Sequence, residues 1–564
     1  RRLTELWNYE RHDTPFREAN WFFYTKNDGL QNQSVLYVQE GPQGTPRVLI
    51  DPNQFSAEGT IALRSPSPSP DGKWLGYGLA SAGSDWVEFK LRDIATGEDA
   101  SDHLKWIKFS GMSWTHDSKG FFYARYPEPP GGNKHVFSKI EHRKLYYHRV
   151  GRPQSEDKLI FEMPEHPTRS FGATVSPDGR YAVIGISQPG KRGNAVAYLD
   201  LKEPKNPSLA GPVRMLVPSF EDNFTFIGNI GRVLYFVTNQ DAPRGRIVAL
   251  SLDDEPAKPR TVIAETEETI DAARMSAGRF VITYMRDVAN RVAIYHVDGT
   301  PAGEIPLPGL GSVPTVAGKF KDPELYVNFS SFLYPGTILR HNLDTDRTEV
   351  WREAKTDFDA NQYETKQVFY TSKDGTRVPM FITHKKGLKL EGKNPTWLYG
   401  YGGFNIVMRP QFAVPPLVWI ERGGVYAVAN LRGGGEYGRD WHDAGTQARK
   451  QNVFDDFIAA AEFLVKERYA SHQTLVIDGR SNGGLLLGAV VNQRPELCAA
   501  AVPAVGVMDM LRYHKFTAGA SWARDYGTSD TPEGFNYLIA YSPLHTVKKG
   551  AKYPAVLVTT GDHD

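Results

Sequence analysis

The chain has 564 residues, 40% of them hydrophobic and 23% charged, and its 66 Lys and Arg nearly cancel its 65 Asp and Glu. That balance gives no electrostatic reason to expect nucleic acid or an anionic membrane as a partner, and no apolar run reaches the ~18 residues of a bilayer span. Single cores stop growing near roughly 250 to 300 residues, so two large domains are expected. The single cysteine, Cys498, allows no internal disulfide and sits in no reactive-thiol motif, so it reads as a packing residue.

The opening Arg1-Arg2-Leu3-Thr4-Glu5-Leu6-Trp7 reads as the middle of an amphipathic helix, with no targeting segment to observe. From about residue 20 to 350 the pattern is short alternating strands separated by turn clusters. Similar strand ends recur at Gln39, Ile94, Arg149, Leu201, Leu252, Val297 and Leu343. Seven multi-stranded units at this spacing predict a seven-bladed β-propeller over residues 1–355, whose first residues read as the remnant of an N-terminal helical part. The turn Ser69-Pro70-Asp71-Gly72 returns as Ser176-Pro177-Asp178-Gly179 and, loosely, as Thr115-His116-Asp117-Ser118. Proline presets φ, aspartate bonds the backbone and glycine accepts positive φ, so these aspartates read as turn formers and not as metal ligands.

After about residue 355 strands alternate with helices, which predicts an α/β domain over 356–564. Strands are expected at 378–383, 396–399, 424–430, 475–478 and 555–560, with helices at 453–467 and after residue 481. Asn452 is the expected cap of the 453–467 helix. The chain stops just after the last strand pattern, so both of its ends read as cut. A hinge near 355–365 is expected between the domains.

Gly479-Arg480-Ser481-Asn482-Gly483 lies between a buried-type strand and an apolar helix. A Gly-x-Ser-x-Gly motif in that setting lifts a serine hydroxyl clear of the backbone and offers helix N–H groups to an oxyanion, which makes Ser481 the candidate nucleophile; a plain turn serine is the bland alternative. Serine needs a histidine base oriented by a carboxylate, in the chain order Ser, acid, His. Asp564 is the best-placed acid and Asp562 the runner-up. His545, His563, His442 and His514 are each out of order or badly placed, so the base is expected in a segment beyond Asp564. Gly433-Gly434-Gly435-Glu436-Tyr437-Gly438 mimics a dinucleotide fingerprint but is not read as one, because no helix is expected directly after it.

Together with residues 399–405, 430–438 and 506–510, the Ser481 motif makes the chain resemble the prolyl oligopeptidase family of serine peptidases over nearly its whole length. The resemblance implies a two-domain propeller plus α/β-hydrolase architecture and a catalytic set of Ser481 and Asp564. It also gives the hydroxyl of Tyr401 and the backbone N–H of Asn482 as oxyanion donors. In Ser521-Trp522-Ala523-Arg524-Asp525-Tyr526-Gly527 it makes Trp522 the surface on which substrate proline stacks and Tyr526 a pocket wall, with Phe404 and Val507 completing the lining. It implies cleavage after proline in short peptides, no metal or organic cofactor, a monomer, and a cytoplasmic or periplasmic location. Cleavage after Lys or Arg, or a propeller-based binding module with an inactive hydrolase domain, are the alternatives.

Overall fold

The structure, a computed structural model, describes residues 1–81, 83–129, 140–516 and 519–561. The alternating segments form seven antiparallel sheets in sequence, spanning 11–50, 61–108, 113–161, 170–217, 224–263, 269–305 and 312–353. Each has four strands in ladder order, except that two short strands, Arg11–His12 and Phe16–Glu18, share the first position of the first sheet. This is the expected seven-bladed propeller.

Its stability lies between the blades, where each pair of neighbouring sheets shares an apolar cluster. Val183 and Val196 of the fourth blade, for example, meet Phe224, Phe236 and Val248 of the fifth. First and last blades share no strand, so side chains close the ring. Phe22 and Tyr24 pack on Tyr326 and Ile338, Arg17 reaches Asp322 at 2.8 Å, and Glu18 pairs with Lys319. The repeated turns behave as their chemistry requires. Asp71 accepts from the Ser69 hydroxyl at 2.6 Å and the Lys73 amide at 3.0 Å, and Asp178 repeats both bonds with Ser176 and Arg180. Gly72 and Gly179 follow at φ 73° and 79°.

Beyond Glu353 a seven-stranded sheet takes over, in the order Tyr363–Thr371, Arg377–Lys385, Val425–Ala429, Thr396–Tyr399, Leu475–Arg480, Ala500–Ala504, Ala555–Val556. The first three pair antiparallel and the others parallel. Helices cover its faces, so interior strands are apolar without alternation: the seven residues inside Arg377–Lys385 are all buried. Thr396–Tyr399 lies between two strands that both follow it in the chain, Val425–Ala429 on one side and Leu475–Arg480 on the other, so the strand order reverses there and a crevice opens at the carboxyl ends of the central strands.

Three local expectations change. The helix predicted at 453–467 runs Gln451–Lys466 with Lys450 at its N-cap, and Asn452 sits inside it, donating to the Ala444 carbonyl at 2.8 Å. A five-residue helix, Arg439–Asp443, does begin directly after Gly438. It docks the propeller: the Arg439 amide donates to the Pro243 carbonyl at 2.8 Å and its guanidinium to Asp222 at 2.6 Å. A Cβ on Gly438 would lie 2.3 Å from that Pro243 oxygen, so this glycine serves domain contact. Finally, the helix Arg2–Trp7 is associated with the second domain, burying Leu6 against Val414, Leu417 and Ile420.

Candidate active site

Three neighbouring parallel strands, Thr396–Tyr399, Leu475–Arg480 and Ala500–Ala504, release their chains at one edge. That edge gathers Tyr401, Ser481 and the segment leading to Val507. Ser481 caps the helix Asn482–Gln493 at φ 54°, ψ −117°, a conformation L-residues rarely hold, and its amide donates to the Ala504 carbonyl at 2.9 Å. Room for this turn comes from the glycines on either side: a Cβ on Gly479 would lie 2.4 Å from the Gly483 carbonyl oxygen. Ser481 is exposed while Asn482 beside it is buried.

The Tyr401 side chain lies beside that of Ser481, and burial raises the phenol above its ordinary pKa, so it stays protonated at neutral pH. Asn482 ties the Tyr401 segment to the Ser481 turn. Its Nδ2 donates to the Tyr401 carbonyl at 2.6 Å, and its Oδ1 accepts from the Tyr526 hydroxyl and from Lys450 Nζ, each at 2.9 Å. Gly403 must be glycine here, because a Cβ would meet the Asn482 amide at 2.6 Å.

The aromatic residues form a connected wall. Phe404 meets the buried Tyr526 ring edge-on at 5.3 Å between centroids, Tyr526 meets Tyr513 at 5.2 Å, and Tyr513 lies nearly parallel to Trp522 at 6.2 Å. Trp522, Phe404 and Val507 are half-buried against the same core, which leaves part of each side chain open. Phe404 and Asn405 both have positive φ, 57° and 58°, and the Phe404 amide donates to Asp525 at 2.5 Å.

Asp564, its alternative Asp562, and His563 lie outside the described residues. The other histidines considered above have partners of their own. His442 Nε2 lies 3.1 Å from Asp525, His514 pairs with Asp530 at 3.2 Å, and His545 with Ser542 at 2.8 Å. Two buried groups at the site escape a sequence reading: Lys450, and the Asp525–His442 pair that orients the Phe404 amide. Lys450 precedes an amphipathic helix and looks like a solvated charge. Only its position in space shows otherwise.

Residues 1–354 match the sequence model described as "Prolyl oligopeptidase, N-terminal beta-propeller domain", and residues 410–564 match the one described as "Prolyl oligopeptidase family". A prolyl endopeptidase of Elizabethkingia meningoseptica is 44% identical over 566 residues, covering 100% of this chain and 79% of the relative. One from Dictyostelium discoideum is 34% identical, covering 100% and 82%. Among solved structures, one from a mechanistic study of two prolyl endopeptidases superposes with TM-score 0.93 at 36% identity, covering 99% of this chain and 81% of its own. Prolyl oligopeptidase B of Galerina marginata bound to a 35mer hydrolysis and macrocyclization substrate gives 0.95 at 33% identity, covering 100% and 81%, whereas its apo form gives 0.78. A strained serine at a strand-to-helix turn, a phenol beside it and a propeller docked above thus meet whole-length likeness to enzymes of one kind: the chain belongs to the prolyl oligopeptidase family of serine peptidases.

Proposed function

We propose that the protein is an endopeptidase that cleaves short peptides on the carboxyl side of proline through an acyl-enzyme. Ser481 attacks the scissile carbonyl, its proton passing to a histidine beyond Asp564 that Asp564 orients. The Tyr401 hydroxyl and the Asn482 backbone N–H donate to the oxyanion, and departure of the amine leaves the acyl group on Ser481 until water releases it. Trp522 offers its indole face to the proline ring, which has no N–H to satisfy, and Phe404, Val507 and Tyr526 enclose it. The observation that carries this reading is an exposed Ser481 held in a strained strand-to-helix turn, one residue from a buried Asn482 whose side chain donates to the Tyr401 carbonyl at 2.6 Å.

The propeller, taken as residues 1–355, covers the hydrolase domain, 356–564, and restricts access. Part of the interface is polar: Arg439 pairs with Asp222, Arg409 with Asp271, and the Tyr437 hydroxyl with Asp287 at 2.8 Å. A cleft of 960 Å³ lies beside these contacts, between Pro243, Arg244 and Glu265 on one side and Arg377, Tyr437 and Trp441 on the other. Closer likeness to the substrate-bound than to the apo Galerina enzyme supports a hinge at 355–365, and that enzyme's 35mer suggests how long a substrate can be. Crosslinking the two domains should abolish peptide turnover; unchanged turnover would remove the hinge.

Specificity is tested with chromogenic peptides ending in proline or arginine. Faster cleavage after arginine would establish the alternative specificity. That outcome needs a carboxylate in the pocket, and both oxygens of Asp525, three residues from Trp522, are already engaged by Phe404 and His442. A folded full-length protein that a fluorophosphonate fails to label at Ser481 would instead be a binding module.

A further inference from the structure

Lys450 stands at the N-cap of Gln451–Lys466, the end of a helix where the backbone dipole already disfavours a cation. Its side chain does not turn to solvent: the residue is 1% exposed. Nζ donates to two neutral oxygens, the Gly402 carbonyl and Asn482 Oδ1, each at 2.9 Å, and lies 5.4 Å from the centre of the Tyr526 ring. Among the described residues no carboxylate forms an ion pair with it. A buried ammonium with neutral partners is costly, and a methionine of similar length would fill the space without that cost.

What those two oxygens belong to explains the arrangement. Gly402 follows Tyr401, and Asn482 follows Ser481 on a different element. With the Asn482 bond to the Tyr401 carbonyl, Lys450 closes a three-sided brace around both oxyanion donors. We infer that Lys450 is a positioning residue for the oxyanion site, locking the Tyr401 loop to the Asn482 amide and keeping a positive charge behind the place where negative charge develops. The inference rests on the roles proposed above for Ser481, Tyr401 and Asn482.

The groups facing the ammonium are Tyr526 and Asp525, the latter held by His442. Burial lowers the Lys450 pKa to about 8, with the Asp525 charge opposing the shift only in part. Charge support at the oxyanion is then complete at neutral pH and lost as pH rises through that value, so kcat should fall on the alkaline side.

The test compares full-length wild-type, Lys450→Met and Lys450→Arg enzymes on a proline chromogenic peptide. Lys450→Met should lower kcat at pH 7 by about 100-fold with KM changed less than about threefold, the signature of an interaction made mainly in the transition state, and should lack the alkaline fall. Binding of a proline boronate should weaken by the same factor as kcat. Lys450→Arg, which keeps its charge at any accessible pH, should flatten the alkaline limb. A folded Lys450→Met enzyme with wild-type kcat and alkaline limb overturns the inference. So does a wild-type kcat that stays level from pH 7 to 10, a result independent of whether either variant folds. Ser481→Ala separates the two levels. Retained turnover there sinks the nucleophile assignment itself, whereas an inert Ser481→Ala beside a fully active Lys450→Met sinks only the role of Lys450.

Discussion

The propeller and the hydrolase domain treat strain and buried polar groups differently. Round the propeller, residues with positive φ are scattered among the turns and bulges of successive blades, among them Ser65, Ser118, Lys202, Ala277 and Asp346. Turn aspartates such as Asp71 and Asp178 bond the turn they stand in, so local units repeat, and Asp178 also accepts from Asn229 of the next blade. In the hydrolase domain Phe404, Asn405, Ser481 and Val505, all at positive φ, converge on one sheet edge, and Val505 is β-branched, for which φ 44° is a true outlier. Beside them lie a buried lysine that has no ion-pair partner among the described residues and a Glu436 carboxyl that burial pushes up to about 7. Strain spread thinly serves a scaffold; strain gathered at one edge holds reacting groups in place.

That contrast can be broken or sharpened by experiment. At the site, Tyr401→Phe removes the hydroxyl proposed as an oxyanion donor and should lower kcat by roughly 10² to 10³-fold with little change in KM; an unchanged kcat would leave Tyr401 as packing. Trp522→Ala should reduce kcat/KM for a proline peptide by about 10 to 100-fold and narrow the preference for proline over alanine at that position. Equal losses on both peptides would deny it a part in selectivity.

In the propeller the effects should be on stability and not on chemistry. His148 is buried between Asp102 at 2.9 Å and Asp157 at 2.6 Å; burial opposes its charge, but the two carboxylates prevail and raise its pKa to about 9. The unfolded value is near 6.5, so the stabilisation is fully present below about pH 6.5 and disappears as pH rises through 9, on the order of 2 to 3 kcal/mol. Calorimetry should show the propeller transition moving down over that window, and Asp157→Asn should flatten the dependence. Smaller still, Asp178→Ala removes bonds to Ser176, Arg180 and Asn229 of the next blade and should cost about 1 to 2 kcal/mol in urea unfolding with kcat unaltered. A larger effect on kcat than on stability would erase the distinction between the two domains.

Much of this was legible in the residues. Seven repeats gave seven blades because each blade is a local unit whose turns depend on neighbours a few positions away. Ser481 could be found because the strand, the glycines and the helix that raise it are contiguous. The helix start at Gln451 was missed because Asn452 suits a cap, whereas its side chain found the Ala444 carbonyl and the turn at Gln447–Arg449 led straight into the helix. Gly438 could be denied a phosphate-loop role from the residues but not given its own, because its need, room for the Pro243 carbonyl, lies some 195 positions away in the chain.

By itself, then, the sequence determined the class of each domain, the strained serine and the aromatic stretch, since periodicity, turn chemistry and a five-residue motif act over short distances. Tertiary structure alone decided that Lys450 is buried behind Asn482, that Asp525 and His442 hold the Phe404 amide, and that Arg2–Trp7 rests on the second domain. A charge is inexpensive in water and costly in a core, and only the arrangement of distant segments decides which environment it meets.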